Sequence, residues 1–367
     1  MNPKLHRVVL VSLAVVLIIV QGYPAAACTE FILKVQDGGV IIGRSLEFGW
    51  NPGYQAVLHP RGQQRVSDAP GSKPGVKWTS KYGYLAMEVF GSGVDGMNEA
   101  GLSLGGLYLP GYTKYQDEEA AKHPAQAVSL LDFGNWLLSN FETVDQVREA
   151  VQKIYVWGKP MPEAQGQVFP LHFSVYDAAG NGIVIEYVKE GLRIYDHNVL
   201  GVLTNSPPFD WQLINITNYL NIRAAEVQPV KQGDTVLAPP SQGSGGQGLP
   251  GDWTSPSRLV RAWFMQRHAK PVKDAAAGVN LAAHILNGVD IPVGSIRPED
   301  NPFNDNDYTM WIAIKDLKNK VLYFRTYENL ALRAIDLKKL DMSPGASKKV
   351  MSIQGGTEVL DVSANLK

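Results

Sequence analysis

The chain has 367 residues, with 34 basic side chains against 35 acidic ones, a formal net charge of −1 and 45% apolar residues. That balance leaves no basic footprint for nucleic acid or an anionic lipid surface, and the apolar fraction excludes a disordered protein. The single cysteine, Cys28, excludes an internal disulfide and leaves a free thiol.

Residues 1–27 open with Lys4, His6 and Arg7, continue through the apolar run "VVLVSLAVVLIIV" and end in "QGYPAAA". A basic start, an apolar stretch of roughly a dozen residues and an A-x-A end are the marks of a secretory signal peptide. The run is short for a membrane span, which needs about 20 residues. Cleavage after Ala27 would make Cys28 the first residue of an exported chain. It would also remove Lys4 and Arg7 and no acid, leaving 32 basic against 35 acidic side chains. Residues 28–367 then form one large domain, and a Gram-negative periplasm is the expected compartment. A lipoprotein signal, with Cys28 acylated, is the competing reading, although Ala25 stands where that signal usually carries a larger aliphatic residue.

The exported part begins with "CTEFILKV" and "VIIGRSLEF" around "QDGG", a hairpin signal. Pairing Val35 with Val40 predicts that Cys28 lies opposite Glu47, with Arg44 on the other face unless a bulge near Gly43 turns it. Further strands are expected at "YLAMEVFG", "LSLGGLYL", "LHFSVYD", "GIVIEYV" and "GLRIYDHNVLGVLTN". Helices are expected at "AVSLLDFGNWLLSNF" and at "ETVDQVREAVQKI", which opens with a Thr143-x-x-Gln146 capping box. Residues 238–252 read as a polar Gly/Pro/Ser loop. A second helical pair, "SPSRLVRAWFMQRHA" and "AAAGVNLAAHILNGV", precedes the final strands "YTMWIAIKD" and "KVLYFRTY". Strands, a helix pair, strands, a helix pair and strands suggest antiparallel sheets covered by helices.

The chain carries no H-E-x-x-H, no P-loop and no G-x-S-x-G elbow. Its seven histidines are scattered, which argues against a metal site. A cysteine released by cleavage offers another chemistry. Its own α-amine, titrating near ~7.7–8.0, can serve as base for its own thiol. A carboxylate beside the amine would orient it, and a neighbouring arginine would favour the thiolate.

"CTEF…GRSLEF", "DGMNEAGLSLGGLYLPGY", "GVLTNSPPFDWQL", "LPGDWTSPSRLVRA" and "YTMWIAIKDLKNKVLYFRTY" together resemble the choloylglycine hydrolase family of N-terminal-nucleophile hydrolases, which includes penicillin V acylases and conjugated bile acid hydrolases. The resemblance implies an α+β fold, a four-layer αββα sandwich. It implies hydrolysis of a linear amide in a small-molecule substrate, no cofactor, no nucleic acid, no stable membrane association after cleavage, and a homo-oligomer, in the family a tetramer. It assigns Cys28 as nucleophile, Arg44 as its neighbour and Glu47 as the acid touching the α-amine, where the family usually has aspartate. Tyr108, through its N–H, and Asn205, through its amide, would hold the oxyanion. Arg258 would support charge at the reacting centre. Tyr108 falls where penicillin V acylases carry tyrosine and bile acid hydrolases asparagine. An acyl homoserine lactone has a similar amide and stays open as substrate, as does a bile salt. A non-catalytic, lipid-anchored binding protein is the reading from another class. Taken singly, Arg44 and Arg258 would be solvated charges, Glu47 an exposed strand residue, Asn205 a turn residue and Tyr108 packing.

Overall fold

The computed structural model describes residues 26–297 and 306–366. The expected signal peptide therefore lies, up to residue 25, outside the described residues.

The first hairpin takes its register from its turn. Gly38 N–H donates to Val35 O at 3.0 Å, and Val35 N–H donates to Gly39 O at 3.0 Å. Gly38 sits at φ +79°, a left-handed conformation that glycine enters at little steric cost. A turn followed by a left-handed glycine adds one residue to the loop. The strands Ala26–Lys34 and Val40–Phe48 consequently pair Lys34 with Val40 and Cys28 with Leu46. The expected opposition of Cys28 and Glu47 is corrected by one residue: Glu47 stands opposite Ala27. One residue of slip exchanges the faces of a strand. Arg44, opposite Glu30, now shares the face of Cys28, and the ladder is continuous past Gly43, so no bulge is needed. Glu47 points to the other side.

Among the described residues this hairpin is the centre of a six-stranded antiparallel sheet. Val202–Leu203 flanks it on one side, and Tyr308–Asp316, Val321–Thr326 and Arg333–Asp336 follow on the other. An eight-stranded antiparallel sheet lies against it. Its middle strands are Leu171–Tyr176, Ser103–Tyr108 and Ser92–Asn98. Helices Leu130–Asn140 and Val144–Val151 cover the outer face of the larger sheet, and helices Ser255–His268 and Ala275–Asn287 cover the outer face of the smaller one. The result is the four-layer αββα sandwich.

Apolar patterning explains the layers. Phe133 and Leu137 recur at helical spacing and meet Leu104, Phe173 and Ile185 of the larger sheet, with Phe133 and Phe173 edge to face at 4.8 Å. Thr143 caps its helix as expected, accepting from Gln146 N–H at 3.3 Å, but Gln146 Oε1 reaches back to Glu142 N–H at 3.0 Å and not to Thr143. The helix expected from Ala127 starts at Leu130, because Ala127–Ser129 pairs in parallel with Tyr155–Trp157. Three short strands, Gln55–His59, Gln64–Ala69 and Lys73–Thr79, lie beyond those expected from the sequence.

Candidate active site

Cys28, Arg44, Glu47, Tyr108, Asn205 and Arg258 are all buried, and they gather around the start of the first strand. They divide between the two faces of the smaller sheet.

On the inner face, Arg44 Nη2 lies 3.9 Å from Cys28 Sγ. The guanidinium is held by acceptors from the larger sheet: Nη1 donates to Val94 O at 2.6 Å and Asp95 Oδ2 at 2.9 Å, and Nη2 donates to Gly106 O. Burial works against the charge of Arg44, but Asp95 outweighs it and holds the group firmly protonated. The surface-charge reading of Arg44 is thus replaced by a buried cation aimed at the thiol.

On the outer face, Arg258 emerges from the first turns of helix Ser255–His268. It is 1% exposed, so its position near a helix start does not solvate it. Nη1 donates to Cys28 O and to Thr29 Oγ1, each at 2.7 Å, and Nη2 donates to Asn205 Oδ1 at 2.7 Å. Asn205 Oδ1 also accepts from Cys28 N–H at 2.6 Å, while its Nδ2 donates to Tyr108 O at 2.8 Å. An amide nitrogen carries two hydrogens, so Nδ2 has a second donor besides the one spent on Tyr108. Asn205 thereby ties the first strand, the helix and the larger sheet together.

Glu47 accepts from Thr309 Oγ1 at 2.9 Å through Oε1. Its Oε2 lies 4.0 Å from Arg258 Nη1 and has no hydrogen-bond partner among the described residues. Burial pushes the Glu47 carboxyl up to about 7, against the pull of Arg258. Burial likewise raises the Cys28 thiol, with Arg44 opposing and Glu47 adding to the rise. In a chain where residue 27 is still attached, the thiol is thus held protonated and the Cys28 nitrogen is an amide without basicity.

Several supporting residues lie outside the set expected from the sequence. Ser255 Oγ accepts from Asn205 N–H at 2.9 Å. His172 bridges Thr204 O at 3.0 Å and Glu186 at 2.8 Å, which fixes the segment carrying Asn205. The available signal was polar residues at inward positions of otherwise apolar strands, such as His172 in "LHFSVY" and Glu186 in "GIVIEYV".

An apolar cleft opens over Cys28, walled by Phe48, Trp50, Tyr54, Tyr108, Phe169 and aliphatic neighbours such as Leu131. Phe48, Tyr108 and Phe169 contact one another with ring centroids 6.1–6.5 Å apart. Apolar walls around a buried thiol suit a hydrophobic group.

Two antiparallel sheets between helix layers, with this cluster at the strand start, define the N-terminal-nucleophile hydrolase type of fold. The chain belongs to the choloylglycine hydrolase family of linear amide C-N hydrolases, whose model matches residues 28–353. It is therefore a hydrolase acting on linear amides. It is 33% identical to a bile salt hydrolase/transferase of Clostridium perfringens (strain 13 / Type A), over 85% of this chain and 93% of that protein. A crystal structure of a conjugated bile acid hydrolase variant from Clostridium perfringens superposes with a TM-score of 0.80 at 31% identity, covering 92% of this chain and 100% of that one. A penicillin V acylase from Agrobacterium tumefaciens superposes with a TM-score of 0.71 at 27% identity, covering 89% and 91%.

Proposed function

We propose that the protein is an exported cysteine amidase, penicillin V acylase-like, that becomes active when Cys28 is the first residue. The observation that carries this reading is the environment of Cys28: a buried thiol 3.9 Å from Arg44, beneath an apolar cleft, with its own nitrogen held by Asn205. The family match also begins at Cys28.

Cleavage turns the Cys28 nitrogen into an α-amine, basic near ~7.7–8.0. That amine takes the thiol proton, and Arg44 steadies the thiolate. The sulfur attacks the amide carbonyl. The second hydrogen of Asn205 Nδ2 and the Tyr108 N–H hold the developing oxyanion. The ammonium then protonates the leaving amine, and water releases the acid from the acyl-enzyme. Glu47 stands opposite the position that Ala27 vacates. A carboxylate there can accept from the new ammonium although it faces away from the thiol.

Tyr108 and the aromatic cleft favour the phenoxyacetyl group of penicillin V. The 33% identity to a bile salt hydrolase/transferase favours a bile acid amide as the second reading. An acyl homoserine lactone offers the same scissile amide on the same scaffold. The periplasm, a homo-oligomer and the lack of stable membrane association belong to this reading; lipid acylation of Cys28 is its rival. The test is N-terminal sequencing and intact mass of active protein, with turnover of penicillin V, a taurine-conjugated bile acid and a long-chain homoserine lactone. The expected result is a bare Cys28, fastest turnover of penicillin V, and loss of turnover in folded Cys28→Ser. An acylated cysteine, or Cys28→Ser at wild-type rate, overturns it.

A further inference from the structure

Behind Arg44 lies a closed group of charges. Glu30, Arg44, Asp95 and Lys315 all have fully buried side chains. Asp95 Oδ2 accepts from Arg44 Nη1 at 2.9 Å and from Lys315 Nζ at 3.0 Å. Lys315 Nζ also donates to Glu30 Oε1 at 3.2 Å and Leu104 O at 3.0 Å, so three acceptors use its three hydrogens. Glu30 Oε2 accepts from Ser174 Oγ. Strand register creates the group: Glu30 stands opposite Arg44, and Ile42 opposite Lys315, so all three face the larger sheet. Glycine makes room for it, since a Cβ at Gly105 would lie 1.9 Å from Glu30 Oε2.

The charge count is informative. Paired with Asp95 alone, Arg44 would form a neutral couple. Glu30 adds a second negative charge, and a thiolate at Cys28 would add a third against one cation. Lys315 brings the resting group to two charges of each sign, so that formation of the thiolate leaves one excess negative charge and not two. A buried lysine in a strand reading "WIAIKD" is costly to desolvate, and its two buried carboxylate partners offset that cost.

We propose that Lys315 is a positioning residue for the nucleophile: it takes up the charge of Asp95 and Glu30, so that Arg44 keeps its attraction for a thiolate at Cys28. The inference deepens the reading of Cys28 as nucleophile and rests on it. The other charged and titratable groups around the sulfur are Glu47 on the second strand, Arg258 on the covering helix and Tyr54 in the loop after Phe48. None of them contacts Lys315 among the described residues. Burial raises the thiol, and a cation beside it is the available counterweight.

The test uses the processed full chain and the rate of iodoacetamide alkylation against pH, read by intact mass. Cys28 is the only cysteine, so the label reports that sulfur alone. Lys315→Met should move the alkylation profile to higher pH and slow labelling at neutral pH about tenfold, the order of one pKa unit, through the weakened hold of Arg44 on the thiolate. Lys315→Met combined with Glu30→Gln removes one charge of each sign and should return the profile towards wild type. Glu30→Gln alone should shift it to lower pH. A wild-type profile in Lys315→Met, or a double variant no better than the single, overturns the proposal. If Lys315→Met does not fold, Glu30→Gln decides: an unchanged or higher profile overturns it. Wild-type turnover in Cys28→Ser would instead sink the nucleophile reading, and the alkylation profile would still report the charge group.

Discussion

At the scale of single residues, Asn205 carries the most geometry. One side chain holds the Cys28 nitrogen, Arg258 and the Tyr108 carbonyl. Asn205→Ala should fold and lose about 10²–10³ in kcat, the range for removing one oxyanion donor. Steady-state kinetics check it, and a loss confined to KM would move Asn205 out of the transition state. Glu47 is the position where, by the resemblance, an aspartate is expected. In the processed protein its carboxylate is expected to orient the α-amine, so charge should matter more than reach. Glu47→Asp keeps the charge and should keep part of the turnover. Glu47→Gln keeps the length and should lose more, most visibly in turnover against pH. Wild-type turnover in Glu47→Gln at every pH would leave Glu47 as a strand residue beside Thr309.

At the scale of elements, the hairpin shows what the sequence made legible. β-rich runs on either side of "QDGG" mark two strands and a turn, and all three are present. The register was not legible, because it depends on whether Gly38 takes a left-handed conformation, and that choice moves every side chain to the other face. The six site residues came from the resemblance, and the fold brings them together. The burial of Arg258 and the Lys315 group were hidden, since each joins residues far apart in the chain: Arg258 meets Cys28 across 230 positions, and Lys315 meets Glu30 across 285. The turn makes a prediction. A Cβ at Gly38 meets nothing within 4 Å, so Gly38→Ala costs only backbone strain, roughly 1 kcal/mol. Residues 27–33 and 40–48 of the strands it joins are buried on both faces, which should hold the register. Urea unfolding should therefore show the loss while kcat per folded molecule stays unchanged. A large fall in kcat at retained stability would mean that the hairpin slips and carries Arg44 away from the thiol.

At the scale of the whole molecule, attachment of residue 27 should set how stability responds to pH. With Ala27 in place, Glu47 is buried with no ammonium beside it, and its carboxyl is raised to about 7 from an ordinary 4.5. The folded state then binds a proton that the unfolded state has released, so the contribution is complete below pH 4.5 and is lost as pH rises through 7. The full effect is roughly 3 kcal/mol. The proposed cleavage would place an α-ammonium near the same carboxylate. An adjacent positive charge lowers a carboxyl's pKa, so the folded value falls towards the unfolded one and the dependence flattens. Urea midpoints from pH 5 to 8 should fall across that range for a chain retaining residues 26 and 27, and fall less for a chain beginning at Cys28. Glu47→Gln in the unprocessed chain should remove the difference, which assigns it to this side chain. Equal slopes in the two forms would mean that the α-amine and Glu47 never meet, and the orienting role given to Glu47 would fail with them.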